Sequence, residues 1–248
     1  MTTLFGHIVS FESKRMLRNF PPLFFGLAFP MMVLLIFGGI YGNEPSDQFG
    51  GLGTVDISVP AYIGLVLAVA GLMSFPLGMV EYRSRSFLRR LRATPARPGA
   101  FLAAQVIVNG IICVLGIGLL ITVAVFVYDL SAPEHPWAFA GLLVLSGCAM
   151  FGIGMVIASV ARSESTALVL ANLIYFPMIF LTGATVPLEI MPDTMRDISN
   201  ALPLTYAVDA LKWAWLDTDT GGMGTSLLVL GGTVVVSSIV AARWFRWE

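Results

Sequence analysis

The sequence predicts an all-α integral membrane protein with six transmembrane helices in a single domain, residues 1–248. Only 12% of the residues are charged and 57% are hydrophobic, whereas a soluble globular domain carries about 25% charged residues. Six uncharged runs are each long enough to cross a bilayer. The basic residues are concentrated in the connections on one side of the bundle that these runs predict.

The six runs predict α-helices, because a lipid-embedded segment must satisfy its backbone hydrogen bonds internally and none of the runs alternates polar and apolar residues. Pro30, Pro60 and Pro76 predict kinks in or near the first two helices. The predicted transmembrane helices cover residues 22–41, 57–80, 101–128, 137–161, 166–187 and 223–242.

Charge asymmetry predicts the orientation. Twelve of the 14 basic residues lie in the N-terminal segment, in the 81–97 loop, at Arg162 and at the C-terminus. The other connections hold only Arg196 and Lys212, together with 11 of the 15 acidic residues. The positive-inside rule therefore predicts a multi-pass protein of the cell membrane with both termini in the cytoplasm.

Residues 1–21 are predicted to form an interfacial helix before the first span. Most of its apolar side chains share one face, which Glu12 and Arg15 interrupt. Two compatible roles remain open: a basic anchor that fixes orientation, and an elbow helix lying in the cytoplasmic leaflet.

Residues 82–94, after the second span, predict a short basic amphipathic helix. Phe87, Leu88 and Leu91 share one face, and Pro95 ends the helix. Anionic lipid heads would interact with each arginine at about 1 kcal/mol. That interpretation does not require the apolar triplet, whereas a docking surface for a cytoplasmic partner does. The arginines in this helix are Arg83, Arg85, Arg89, Arg90 and Arg92.

Residues 188–216 are too polar to span a membrane and too apolar for a solvated loop. Pro192 and Pro203 divide the segment into two short helices. We expect a re-entrant helical hairpin in the outer leaflet, with tryptophans at the interface. The alternative is a helical lid that lies flat outside the membrane.

The sequence lacks the motifs of several kinds of chemistry, among them ATP binding, proton relay and metal binding. The sequence has no Gly-Lys pair and hence no P-loop for ATP, and no span carries an ionisable residue in its middle, as proton relays do. The two histidines and two cysteines lack metal-ligand spacing. Glu189, Asp193 and Asp197 are spaced by four residues and predict a solvated helix surface, with a catalytic or metal cluster as the alternative.

Candidates for a substrate path lie within the spans. Gln105, Asn109 and Asn172 are expected to form hydrogen bonds between helices, with substrate contact as the second interpretation. Soft apolar side chains on the second and fifth spans are candidates for an adaptable surface, against the alternative of ordinary packing. They are Met73, Phe75, Met79, Phe176 and Phe180.

Two segments resemble the ABC type-2 exporter permease family. Glu81 ends the second span, and Leu88-Arg89-Arg90-Leu91-Arg92-Ala93-Thr94-Pro95 matches the Leu-x-x-Leu-x-Ala-Thr-Pro pattern of the family's cytoplasmic loop. Pro187-Leu188-Glu189 and Pro203-Leu204-Thr205-Tyr206 resemble the family's outer hairpin. The chain is most similar to small drug and antibiotic exporters of the daunorubicin-resistance type. It departs from many members at residues 83–86, where Arg-Ser-Arg-Ser replaces an acid and a glycine.

The resemblance implies a permease homodimer on two separate ABC ATPase subunits, which hold ATP and Mg. This chain is then a transport subunit rather than an enzyme, with no cofactor or metal of its own. The implied docking residues are Glu81, at the hinge, with Arg83, Phe87, Leu88, Arg89, Arg90, Leu91, Arg92, Thr94 and Pro95. The candidate path residues are Met73, Phe75, Met79, Asn172, Phe176 and Phe180, and the hairpin residues are Pro187, Glu189, Pro203, Thr205 and Tyr206.

The predicted function is export of hydrophobic or amphiphilic compounds, such as drugs, antibiotics or lipid-like molecules, driven by ATP hydrolysis in the partner subunit. The alternatives are a permease for a lipid-linked polysaccharide, a membrane-embedded enzyme acting at the outer leaflet, and a non-catalytic membrane scaffold. Turnover without nucleotide would distinguish the enzyme from the exporter.

Overall fold

The computed structural model describes residues 2–45, 51–84, 98–182, 191–218 and 222–244. Short connections join the helices within these ranges, and a helical turn, Phe20–Leu23, leads into the second helix. The helices are α1 (Thr2–Leu17), α2 (Phe24–Tyr41), α3 (Thr54–Ser84), α4 (Pro98–Tyr128), α5 (Pro136–Val160), α6 (Glu164–Leu181), α7 (Asp193–Ser199), α8 (Pro203–Leu216) and α9 (Met223–Trp244).

Six of these helices, α2 to α6 and α9, are long and apolar enough to cross a membrane. Each coincides with one of the uncharged runs in the sequence. The prediction of an all-helical membrane protein with six transmembrane helices is therefore confirmed.

Helix α3 forms the centre of the bundle. Of its most apolar 18 residues 83% are buried, compared with 22–39% in the other five spanning helices. A π-helical segment, Val69–Ser74, lies just before Pro76, whose nitrogen carries no hydrogen to donate. A second π-helical segment, Phe24–Ala28, lies just before Pro30 in α2. At two of the three predicted kinks, the helix thus departs from α-helical geometry by widening into a π-helical turn.

Helix α5 crosses α3 with the two backbones in contact. A Cβ atom added to Gly154 would overlap the carbonyl oxygen of Gly71, and one added to Gly71 would lie 2.6 Å from the carbonyl carbon of Met150. Glycine therefore permits an approach that a larger residue would prevent. On its other side α5 packs along α9, where Gly152 faces Ser237.

Helices α7 and α8 form a hairpin whose second helix lies among α3, α5 and α9. One end of α8 is tied to the α4–α5 connection, where the Glu134 N–H donates to the Trp215 carbonyl at 3.2 Å. The other end begins at Pro203, which lines a groove together with Ile153 and Val236. Helix α8 thus runs from the interior of the bundle to one end of it.

The two ends of the bundle differ in charge. The end called the basic end below carries Arg15 on α1, Arg162 in the α5–α6 connection and Arg243 on α9. The opposite end carries His135 and Asp217, whose Nε2 and Oδ1 atoms lie 3.1 Å apart.

Candidate coupling site and substrate path

The predicted docking segment leaves the bundle where α3 ends, at the basic end. Glu81 and Arg83 lie in the last turn of α3. The other predicted docking residues lie outside the described residues: Phe87, Leu88, Arg89, Arg90, Leu91, Arg92, Thr94 and Pro95. The docking segment is connected to the bundle through the last turn of α3. The contacts of that turn therefore determine which helices a movement of the segment would displace.

A polar cluster, defined as Glu12, Arg15, Glu81, Tyr82 and Gln105, joins α3 to α1 and α4. Glu12 is only 3% exposed and accepts hydrogen bonds from the Tyr82 hydroxyl and, at 2.7 Å, from Gln105 Nε2. Arg15 Nη1 lies 3.5 Å from Glu81 Oε2, and its guanidinium carbon lies 4.3 Å from the centre of the Tyr82 ring. Three helices thus meet around one buried carboxylate.

Glu12 and Arg15 are the residues that interrupt the apolar face of α1 in the sequence. Burial raises the pKa of Glu12, while the hydrogen bond from Tyr82 and the charge of Arg15 oppose that rise. Because the pKa is higher in the folded state, this group favours folding most at acidic pH. That contribution is lost as the pH rises through the raised pKa.

Removing the acceptor at position 12 should loosen the attachment of α1. We expect Glu12→Ala to lower the free energy of unfolding by about 2 kcal/mol, because two buried donors lose their partner. Glu12→Gln should cost less, since its amide oxygen can still accept one of the two hydrogen bonds. Thermal unfolding of the purified variants measures the difference.

Ser10→Ala is the matched control, because Ser10 is an exposed position on the same helix. A Glu12→Ala protein as stable as the Ser10→Ala protein would contradict the role assigned to the polar cluster.

The same turn of α3 is also held by the α5–α6 connection. The Arg83 guanidinium donates a hydrogen bond to the Ala161 carbonyl, and Ser84 Oγ lies 2.5 Å from Glu164 Oε1. Ser163 caps α6 by accepting a hydrogen bond from the Thr166 N–H at 3.2 Å. The end of α3 is therefore bonded to α1 on one side, where Glu12 of α1 also binds α4, and to the α5–α6 connection on the other.

The polar residues within the spans have different partners. Gln105 bonds to another helix, which confirms the prediction for that residue. Asn109 Nδ2 donates to the Gln105 carbonyl at 2.9 Å and Asn172 Nδ2 donates to the Leu168 carbonyl at 2.8 Å, both within their own helices.

The candidate path residues divide into two groups. Phe75 and Met79 are 1% and 2% exposed, and the Phe75 ring meets Phe151 of α5 edge-on with centroids 5.4 Å apart. Phe176 and Phe180 of α6 are 49% and 54% exposed, with their rings stacked at 6.4 Å. Met73 and Asn172 are intermediate in exposure, since both are partly buried. An open apolar surface with stacked aromatic rings is thus found on α6.

The hairpin residues hold the corner between α7 and α8. Pro203 starts α8, Thr205 Oγ1 donates to the Ser199 carbonyl at 2.6 Å, and the Tyr206 hydroxyl donates to the Asn200 carbonyl at 2.7 Å. These two bonds satisfy carbonyls at the C-terminal end of α7, where no further helical turn supplies N–H donors. Pro187 and Glu189 lie outside the described residues.

The six spanning helices, with the buried helix α8 among them, define a multi-pass membrane protein. The chain belongs to the ABC-2 type transporter family, whose sequence profile matches residues 3–216. It is therefore a transport permease subunit of an ABC transporter.

Individual relatives carry permease names. The chain is similar to "Putative transport permease YvfS" of Bacillus subtilis, with 28% identity over 82% of this chain and 81% of the relative. "Putative transport permease ycf38" of Porphyra purpurea is 22% identical over 89% of this chain and 76% of the relative. "Probable multidrug ABC transporter permease YbhR" of Escherichia coli is 19% identical over 64% of this chain and 43% of the relative.

Two contributors to the site were missing from the sequence prediction. Glu12 and Tyr82 meet across 70 positions of sequence, which no local pattern predicts. The available signal was the pair of charged residues on the apolar face of α1. A charge at such a position calls for a buried partner, because burying it alone costs on the order of several kcal/mol.

Proposed function

We propose that this permease exports hydrophobic or amphiphilic compounds from the cell, using ATP hydrolysed by two separate ABC ATPase subunits. The observation that carries the proposal is the bonding of the last turn of α3 to α1 and to the α5–α6 connection, together with the hydrogen bond that joins α4 to Glu12 of α1. A force applied to residues 82–94 would reach four helices through these bonds.

The proposed docking surface is the basic amphipathic segment that follows Glu81. Phe87, Leu88 and Leu91 would enter a groove on the ATPase, and the arginines around them would meet its polar rim. In this proposal the basic end and both termini would face the cytoplasm, which the positive-inside rule supports. ATP and Mg would remain on the partner subunits.

The proposed path runs between two copies of the permease, which form a homodimer. Phe176, Phe180 and Asn172 would line it, with Met73 beside them and with Phe75 and Met79 supporting the wall from behind. Aromatic and methionine side chains adapt to apolar molecules of different shape. The name of the Escherichia coli relative, a probable multidrug permease, favours this class of substrate.

Truncating both rings on α6 should weaken the response to substrate. We expect Phe176→Ala/Phe180→Ala to raise the compound concentration that half-stimulates the ATPase roughly 30-fold, because each of the two aromatic contacts contributes about 1 kcal/mol. Phe126→Ala is the matched control, since Phe126 is an 83% exposed ring on α4. Equal stimulation curves for both variants would argue against a path along α6.

Co-expression tests the proposal as a whole. The permease would be purified with an ABC ATPase from the same genome and placed in lipid nanodiscs. We expect a stable complex whose ATPase activity changes when lipophilic compounds are added. An ATPase indifferent to the permease and to such compounds would contradict the exporter, and turnover of a lipid substrate without nucleotide would favour the membrane enzyme.

A further inference from the structure

A cavity of about 520 Å³ opens at the basic end of the bundle. Three arginines from three separate elements line it: Arg83 at the end of α3, Arg162 in the α5–α6 connection and Arg243 in the last turn of α9. Ser159 and Trp244 complete its polar and aromatic wall. The fold therefore brings together basic side chains that are far apart in the sequence.

The charges around this cavity are unbalanced. None of the described residues that line it is acidic, and no described carboxylate forms a salt bridge with Arg162 or Arg243. Glu164, the next acid along the chain, is engaged by Ser84. Gathering like charges is unfavourable, so an anion in the cavity would be attracted by all three guanidinium groups.

A separate apolar groove of about 460 Å³ lies along α5 and α9, the two helices that also contribute residues to the cavity. Its walls include Ile153 and Val156 of α5 and Val236 and Val240 of α9. Val156 and Val240 each lie about one helical turn from residues that line the arginine cavity. The groove therefore leads from the basic end toward the middle of the membrane-spanning region.

We infer that the cavity and groove together bind one anionic phospholipid. The headgroup phosphate lies among Arg83, Arg162 and Arg243, and one acyl chain lies in the groove beside Val236. Trp244 is the last residue of α9, and tryptophan prefers the membrane interface. An acidic segment of a soluble partner would satisfy the arginines but would leave the groove within the membrane unfilled, so a lipid fits both features. The inference is independent of the proposed transport function.

The test measures lipid binding to the purified, delipidated full-length chain by native mass spectrometry. We expect dioleoyl phosphatidylglycerol to bind more tightly than dioleoyl phosphatidylcholine. Arg162→Gln/Arg243→Gln should weaken phosphatidylglycerol binding on the order of 10- to 30-fold, since each basic group near an anionic headgroup changes affinity about fivefold. Arg83 is left unchanged because it also bonds to the Ala161 carbonyl. Arg18→Gln, another exposed arginine at the basic end, is the control.

Two further arms separate a lipid from other anions. Val236→Trp fills the groove at a position that is already 61% exposed. This variant should weaken the binding of dioleoyl phosphatidylglycerol but leave the binding of short-chain dihexanoyl phosphatidylglycerol unaffected. Inorganic phosphate at millimolar concentration should not displace the bound lipid.

Three outcomes would overturn the inference. They are equal binding of the two dioleoyl lipids, displacement by inorganic phosphate, and an arginine double variant that binds phosphatidylglycerol normally. Loss of a co-purified ATPase from that variant, with normal lipid binding, would assign the arginines to a protein interface instead.

Discussion

Phe87→Asp/Leu91→Asp is expected to release the ATPase from the permease. The two side chains lie on the apolar face predicted for residues 82–94, and hot-spot anchors of this kind contribute about 2 kcal/mol or more each. Losing both corresponds to a weakening on the order of a thousandfold. The measurement is the amount of ATPase that co-purifies with the tagged permease, together with its compound-stimulated activity.

Ser86→Asp is the control for this experiment. Helical spacing places Ser86 on the face opposite Phe87 and Leu91, so the variant adds negative charge to the same segment without removing an anchor. We expect it to keep the ATPase bound. A Phe87→Asp/Leu91→Asp protein that retains normal co-purification and stimulation would contradict the docking assignment, and the coupling path through α3 would lose its input.

Gly154→Val is expected to prevent folding of the bundle. Even the first carbon of a side chain at this position would overlap the Gly71 carbonyl oxygen, and it would lie 3.3 Å from the Phe75 ring. The obstacle is backbone, which cannot rotate away as a side chain can. Forcing α3 and α5 apart should cost about 3 kcal/mol or more, measured as loss of monodisperse protein and a lower unfolding temperature.

The matched control lies on the same helix. A Cβ atom at Gly141 meets nothing within 4 Å, so Gly141→Ala should leave both yield and unfolding temperature close to those of the parent. If Gly154→Val folded as well as Gly141→Ala, the close crossing of α3 and α5 would be wrong, and with it the central position of α3.

The spanning helices could be predicted from sequence because lipid imposes a composition rule on each of them separately. Uncharged runs of sufficient length locate all six, and the charges between them indicate which connections share a side. The Pro-Leu-Thr-Tyr motif located the hairpin for a related reason. Its proline starts α8, and Thr205 and Tyr206 bond to carbonyls only six residues away. A short sequence motif is therefore enough to predict this corner.

Contacts between distant segments could not be predicted in this way. The sequence does not indicate that Glu12 meets Tyr82 and Gln105, or that Gly154 meets Gly71, because these pairings depend on how helices are arranged around α3. The same limitation applies to the candidate path. Helical spacing grouped Phe75 and Met79 with Phe176 and Phe180 as candidates, but only packing distinguishes the buried pair on α3 from the exposed pair on α6.

The most direct test of the account is to locate residues 82–94 relative to the membrane. Arg89→Cys and, separately, Asp193→Cys would be introduced into a chain carrying Cys113→Ala and Cys148→Ser, and intact cells would be treated with a membrane-impermeant maleimide. We predict labelling of the cysteine at 193 in intact cells, and labelling of that at 89 only after the membrane is opened. Labelling at position 89 from outside would contradict an ATP-driven permease, because the surface proposed to meet the ATPase would then face away from the cytoplasm.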